Sequence, residues 1–469
     1  CVKCGVSFDE DKIETLSNQY EKVLAFYYPR GDIYDRNGIL FNNRPDSDYG
    51  FLDIPLDDAI DVAAPVIGEL TVDKNSTSAE SCSGVNGLQK VYDKILAGGT
   101  PVKVLAKVDA DGSVLKEQGF TVINDHPNEG GSLELTLDYN LQKAFEEKMR
   151  EIAEEREYPG VAAVVSDVET GEIFAMASVG SYMNKAVLSY QPGSVMKIIT
   201  AAVALEEGII DENTKYNCTG SVQVGDTTRY CSEKIVHGEM TIAEAFSHSC
   251  NCCFYELAKK LNYEVEPGVY ANKMLEKAKE WGYNEYGETP VKQFELEYEG
   301  YYSFVSSKLY NDMDIFNAAL GQGKIQASPY LINKITAGIA GGGKTIEPYL
   351  VKKVKDPAGN EISTVKYTVF DMGLSEKTVK ALQNMMALTG SEGSGANNTL
   401  GKYGGLAGKT GTAESVEGAN YHSWFTGYFP ANAPKYAMTV MVEEGGNAPT
   451  NALFVYDALA NIIFDLYQK

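Results

Sequence analysis

The stretch Tyr190-Gln-Pro-Gly-Ser-Val-Met-Lys197, running on through Ile198-Ile-Thr-Ala-Ala-Val-Ala-Leu205, decides how this chain is read. Pro192-Gly193 breaks the backbone, and a mainly apolar run follows, ending in Glu206-Glu207 before Gly208. That pattern predicts a helix over 194–207, stopped at the glycine. Ser194 then sits at the helix start, where partial positive charge favours an incipient alkoxide. Lys197 lies three residues on, on the same helical face, and apolar surroundings favour its neutral, basic form. The pattern Ser-x-x-Lys also occurs at Ser113/Lys116 and Ser363/Lys366. Both of those lie in strand-like hairpins, where positions i and i+3 point to opposite faces. Two readings of Ser194 stay open on this motif alone: an activated nucleophile, or an ordinary helix-capping serine.

Outward from this helix, Leu141, Phe145, Met149 and Ile152 recur at helical spacing, so 139–156 should be amphipathic. Val161-Ala-Ala-Val-Val-Ser-Asp-Val and Glu172-Ile-Phe-Ala-Met-Ala-Ser flank Glu169-Thr-Gly171. They read as a hairpin whose strands are buried on both faces. Upstream of the loop-like 124–131, the chain is turn-rich, with a hairpin expected around Asp109-Ala-Asp-Gly112. The middle of the chain reads as mainly helical and irregular. Three late strands are expected at 405–414, 423–429 and 436–442, then a helix over about 451–467. Two early strands and three late ones, with helices between, imply one mixed sheet closed by distant parts of the chain, with helices on both faces.

Two further motifs carry chemistry. In Leu406-Ala-Gly-Lys-Thr-Gly-Thr-Ala-Glu414, Lys409 supplies positive charge and Thr410 and Thr412 supply hydroxyls suited to a carboxylate. Gly411 lets a ligand backbone approach the strand. The segment is no phosphate loop, because Tyr403 stands where the first glycine should be. Ser249-Cys250-Asn251 closes a helical segment, and its value comes from order: Ser-x-x-Lys, then Ser-x-Asn, then Lys-Thr-Gly.

The 469 residues carry 65 acidic against 41 basic side chains, a net charge of −24. That balance argues against nucleic acid as a partner, since phosphate binding needs a basic surface. No apolar run approaches the roughly 20 residues that span a bilayer. The chain begins at Cys1, so an anchoring segment removed from upstream is the expectation.

The ordered motif set resembles the penicillin-recognising serine enzymes. Arg30-Gly-Asp-Ile-Tyr-Asp-Arg-Asn-Gly38 is similar to the motif that opens class B penicillin-binding proteins. Gly84-Val-Asn-Gly-Leu-Gln-Lys-Val-Tyr-Asp93 resembles a second, with Gln89 replacing the usual glutamate. Leu135-Thr-Leu-Asp138 with Leu141-Gln142, Gly321-Gln-Gly-Lys-Ile-Gln-Ala-Ser-Pro329 and His422-Ser-Trp-Phe-Thr-Gly427 extend the likeness along nearly the whole chain. The resemblance implies an α/β fold: a three-layer α-β-α transpeptidase domain with a central antiparallel sheet over 139–469. A smaller β-rich pedestal, similar to the class B dimerisation domain, would occupy 1–138.

The resemblance also implies roles. Ser194 would attack the D-Ala-D-Ala carbonyl of a peptidoglycan stem peptide, and Lys197 would take its proton. Ser249 would relay a proton to the leaving amine, Asn251 would hold the acyl-side amide, and Lys409 would polarise Ser249. Lys409, Thr410 and Thr412 would hold the terminal carboxylate, beside Gly411. The N–H groups of Ser194 and Thr412 would form the oxyanion hole. β-Lactams would acylate Ser194. A SEDS-type glycosyltransferase would polymerise the lipid II-derived glycan, and catalysis needs no cofactor. The domain would stand on the extracytoplasmic face of the bacterial membrane, held by one N-terminal helix. Rivals are a D,D-carboxypeptidase or β-lactamase-type hydrolase, and a β-lactam sensor or scaffold with little turnover. The chain departs from the family in lacking an inserted head and PASTA modules, and in a short stretch at 178–189.

Five of the eight cysteines fall between Cys218 and Cys253. Cys218, Cys231, His237 and Cys250 offer three thiolates and one imidazole, the ligand set of a tetrahedral structural zinc. Cys252 and Cys253 are substitutes for Cys250. A Cys218–Cys231 disulfide and free buried thiols are the alternatives. His422 reads as a cleft or surface-turn residue, and Trp424 as core packing against a helix.

Overall fold

The computed structural model describes residues 21–27, 30–41, 62–73, 81–99, 102–109, 111–113, 115, 120–123, 130–211, 213–364, 367–414, 421–446 and 450–467. Cys1, Cys4, Lys116, Lys366 and the 124–129 loop lie outside them. The chain divides into two compact units. One holds residues 1–135 and 351–365, the other 136–350 and 366–469. The sequence reading put one boundary at 138. The structure puts it three residues earlier and returns a later hairpin to the first unit.

In the first unit, Val351–Lys355 pairs antiparallel with Ser132–Leu135 and with Glu361–Thr364. Ile33–Tyr34 adds to the same sheet, parallel to Ser132–Leu135. A separate antiparallel sheet joins Glu21–Tyr27, Val102–Lys107 and Phe120–Ile123. Its tight turn is the expected one: the Asp109 carboxylate accepts from the N–H groups of Asp111 and Ser113 at 3.0 and 2.9 Å. The opening motif has a structural use. Arg30 donates to the side-chain and main-chain oxygens of Gln89 and pairs with Asp93 at 2.8 Å. An amide at position 89 suffices because Asp93 supplies the charge.

The second unit begins with α1 (Tyr139–Arg156), capped by Asp138, whose carboxylate accepts from Asn140 and Leu141 N–H. Strands β1 (Gly160–Asp167) and β2 (Ile173–Val179) follow as the expected hairpin. Helix α2 covers Lys197–Glu206, α3 Ile242–Ser247, α4 Asn251–Lys260, α5 Pro329–Ala340 and α6 Glu376–Ser391. Strands β3 (Ala407–Glu414), β4 (Tyr421–Phe429) and β5 (Tyr436–Glu443) and helix α7 (Ala452–Tyr467) complete it. The sheet runs β2-β1-β5-β4-β3. Every pairing in it is antiparallel, so the mixed sheet expected from element order is corrected.

Helices α1 and α7 cover one face, burying Phe145, Met149, Tyr456, Leu459 and Phe464 among the strand side chains Val161, Val165, Phe425 and Val440. Helix α5 covers the other face. Its Asn333 is fully buried, accepts from Ser166 Oγ at 2.8 Å and donates to Val164 O and Ala437 O. One amide thereby pins the helix to two strands.

The middle of the chain differs from expectation. It holds short hairpins as well as helices: Ser221–Val224 with Thr227–Tyr230, and Asn262–Glu266 with Val269–Asn272. Their loops are Gly225-Asp226 and Pro267-Gly268, with positive φ at both glycines, and the flanking runs are rich in the strand formers Val, Thr and Tyr.

Candidate active site

Ser194 lies in a 3₁₀ turn, Gly193–Met196, before α2 begins at Lys197. The expectation of a regular helix from 194 is corrected at this point. A 3₁₀ turn eclipses side chains at i and i+3, which sets Ser194 above Lys197 more directly than an α-turn would. Ser194 is half-buried and Lys197 fully buried.

The turn is pressed against β3. Gly193 has φ +58°, and a Cβ there would stand 2.4 Å from Thr412 O. Gly193 N–H donates to Gly321 O at 3.1 Å, and a Cβ on Gly321 would strike Gly193 O. A Cβ on Gly411 would lie 2.7 Å from both Pro192 O and Val195 Cγ2. The bare side of Gly411, read from sequence as room for a ligand backbone, is taken up by the nucleophile turn. The main chain of Thr412 is thus brought beside Gly193-Ser194, as an oxyanion hole built from both residues requires.

Ser249 and Asn251 come from the α3–α4 junction. Thr241 and Glu244 form a reciprocal cap at the start of α3. The helix ends at Ser247, and Ser249 takes a left-handed φ of 56°. That conformation is costly for a residue with a Cβ, and such residues gather at functional sites. Lys197 Nζ lies 2.8 Å from Ser249 O, 3.1 Å from Ser249 Oγ and 2.7 Å from Asn251 Oδ1. Lys409 Nζ reaches Ser249 Oγ at 3.0 Å and Thr410 O at 2.9 Å. One hydroxyl accepts from two amines and keeps its own proton to donate.

Burial pulls the Lys197 ammonium down to about 8, against the opposing pull of the neighbouring cysteines. Burial, then the charge of Lys197, holds Lys409 well below the usual lysine range. Two buried ammoniums sharing one hydroxyl disfavour double protonation, so a neutral amine is accessible here.

Thr410 and Thr412 share one side of β3 by strand alternation. Thr410 Oγ1 lies 2.7 Å from Ser394 Oγ, and Ser394 N–H donates to Ser247 O. Sequence reasoning missed Ser394, whose Ser-Glu-Gly-Ser-Gly setting reads only as a loop. Trp424 is buried as expected, but its indole N–H goes to Gln191 O at 3.0 Å, tying β4 to the segment before the nucleophile. His422 is half-buried in β4, its ring edge-on to Tyr190 at 5.4 Å.

Beside this set, Cys218, Cys231, His237 and Cys250 converge, their ligand atoms all within 4.8 Å of one another. The strand Lys215–Cys218 pairs with Gly238–Thr241, opposing Cys218 to Gly238 and so bringing His237 alongside. Cys250 is the N-cap of α4 and faces inward between Ser249 and Asn251. All four cysteines that could join Cys231 (218, 250, 252 and 253) are buried and free, as is Cys231 itself, so the Cys218–Cys231 disulfide is not formed. Cys231 takes thiol hydrogen bonds that stabilise its thiolate, while the hydrogen bond to Cys231 and then burial push Cys250 up.

The family "Penicillin binding protein transpeptidase domain" matches residues 161–463. The chain is 27% identical to Stage V sporulation protein D of Bacillus subtilis over 77% of its own length and 56% of that protein's. It is 25% identical to the peptidoglycan D,D-transpeptidase MrdA of Acinetobacter baumannii over 98% of its length and 68% of MrdA's. It therefore spans about half to two-thirds of these relatives. Penicillin binding protein 3 of Mycobacterium tuberculosis superposes with a TM-score of 0.72 at 21% identity, covering 94% of this chain and 97% of that one. The same mycobacterial protein has been solved with aztreonam and with ampicillin. A chain from a peptidoglycan synthase complex superposes at 0.71 and 22% identity, covering 96% of this chain and 94% of its own. The chain belongs to the penicillin-binding protein transpeptidase family, in its class B branch.

Proposed function

We propose that this chain is a serine D,D-transpeptidase that cross-links peptidoglycan stem peptides and is acylated by β-lactams. The observation that carries the reading is the hydrogen-bonded set of Lys197, Ser249, Asn251 and Lys409 beside the Ser194 turn. Ser194 Oγ bonds to the penultimate D-Ala carbonyl carbon, and its proton passes to neutral Lys197. The oxyanion is held by the N–H groups of Ser194 and Thr412. The bond to the terminal D-Ala then breaks, and its amine takes a proton through Ser249. Lys409, Thr410 and Thr412 hold the terminal carboxylate. An amine from a second stem attacks the ester, the amide cross-link forms, and Ser194 regains its proton. Incubation with a stem pentapeptide and an acceptor amine tests this. Cross-linked dimer with release of D-Ala is expected; D-Ala release without dimer would make the enzyme a hydrolase.

We also propose that Cys218, Cys231, His237 and Cys250 hold a structural zinc ion. Zn–S bonds of about 2.3 Å give a tetrahedral edge of about 3.8 Å. Cys231 and Cys250 sulfurs are 3.8 Å apart, and Cys231 Sγ is 3.7 Å from His237 Nδ1. The ion would neutralise the thiolates and tie the hairpins to the turn carrying Ser249 and Asn251. No helix among the described residues is long and apolar enough to cross a membrane. The substrate sets the location: the extracytoplasmic face, with a membrane anchor outside this chain and a SEDS-type glycan polymerase as partner. The likeness to a chain from a peptidoglycan synthase complex supports that partner class.

A further inference from the structure

A second polar cluster lies away from the reacting groups. Lys185 Nζ pairs with Glu443 Oε2 at 2.6 Å, both side chains being largely buried. Tyr190 donates its hydroxyl proton to the other oxygen, Glu443 Oε1, at 2.9 Å. Glu443 is the last residue of β5, whereas Lys185 and Tyr190 lie in the segment that leads to the nucleophile turn. Gly160, opposite Glu443 on β1, leaves the room: a Cβ there would be 2.4 Å from Lys185 Cε and 2.7 Å from Glu443 Oε2.

The segment from Tyr190 to Ser194 is held at several points. Tyr190 exchanges main-chain hydrogen bonds with Ala327, at 3.0 and 2.8 Å. Its ring is edge-on to Trp424 and His422, which stand opposite Gly411 and Ala413 of β3. Gln191 O accepts from Trp424, and Gly193 N–H from the turn reaches Gly321 O. Among the described residues, the only side-chain hydrogen bond from Tyr190 to the central sheet is the one to Glu443. Burial and the carboxylate both push the Tyr190 hydroxyl far up, so it stays a neutral donor.

We infer that Glu443 is a positioning residue for Ser194: it takes the Tyr190 hydroxyl and the Lys185 ammonium, and so fixes the nucleophile turn against the end of β5. This deepens the transpeptidase reading and rests on it. A buried carboxylate shared by two donors on one segment constrains that segment in two directions. Tyr190 is four residues from Ser194, close enough for a loosened ring to move the attacking oxygen.

The test compares Tyr190→Phe, Glu443→Gln, Glu443→Ala and the double variant Tyr190→Phe/Glu443→Ala with wild type. Penicillin acylation is split into pre-covalent Kd and acylation rate constant per folded molecule, with Tm recorded. Tyr190→Phe leaves the Lys185–Glu443 pair in place, so it should fold. Its acylation rate constant should fall about ten- to a hundredfold, as for a misplaced reacting group, with Kd unchanged. Glu443→Gln keeps an acceptor for Tyr190 and should retain more rate than Glu443→Ala. The double variant should lose no more than Glu443→Ala, because the two act as one unit. Equal rate constants per folded molecule, whatever happens to Tm, would overturn the positioning role and leave the transpeptidase reading standing. A wild type that penicillin does not acylate would overturn both.

Discussion

Acylation should carry the titration of Lys197. Its ammonium is drawn from the ordinary lysine value of 10.5 to about 8 because the side chain is wholly buried. A lowered pKa means the neutral, proton-accepting form appears at lower pH. With a pKa of about 8, the neutral fraction is about 0.09 at pH 7, about 0.5 at pH 8 and about 0.9 at pH 9. The second-order rate constant for acylation should therefore rise about fivefold from pH 7 to 8 and less than twofold from 8 to 9. An unshifted lysine would instead give about tenfold per unit across the whole range, with its neutral form about 300 times scarcer at pH 7. Stopped-flow acylation by a fluorescent penicillin from pH 6.5 to 9.5, with circular dichroism confirming the fold at each pH, reads the profile. A flat profile would show that no group titrating here acts as base. A log-linear rise through pH 9 would show that burial does not lower Lys197, and the account of how its neutral form becomes available near pH 7 would fail.

Gly193→Ala places a Cβ at φ +58° and 2.4 Å from Thr412 O, so the turn must move; acylation should fall about a hundredfold while most of the fold persists. Near-normal acylation of that variant would contradict the packing described. Asn333→Ala removes a fully buried amide that joins α5 to β1 and β5, and should cost about 2–3 kcal/mol in urea unfolding, with Ser166 Oγ and two carbonyls left short of partners. Purified protein should contain about one zinc, and chelation should lower its Tm. Less than about half an equivalent, with no loss of Tm on chelation, would count against the ion.

The parts of this fold that could be read from sequence are those written in consecutive residues. The β1–β2 hairpin is two apolar runs around Glu169-Thr-Gly171, and α1 is a helical stripe with its own cap. Lys197 could be chosen among three Ser-x-x-Lys pairs because only that one lies on a helical run. Cys218, Cys231, His237 and Cys250 were legible as a set by ligand type, and the pairing of Lys215–Cys218 with Gly238–Thr241 gathers them. The 3₁₀ geometry at Ser194 was not legible, because it is imposed by contact of Gly193 and Gly411 with partners more than two hundred residues apart in the chain. Glu443 lies 253 residues from Tyr190, and nothing local marks it as a partner. The hairpins at Gly225-Asp226 and Pro267-Gly268 had turn signals and alternating strands such as Ser221-Val-Gln-Val224, but runs of four or five residues between helical stretches are too short to stand out.

The most direct test of the central claim is penicillin labelling followed by peptide mass spectrometry, on wild type and Ser194→Ala. A single penicilloyl adduct on the peptide containing Ser194, absent from Ser194→Ala, is predicted. Labelling that survives the substitution, or an adduct on another residue, would contradict the account.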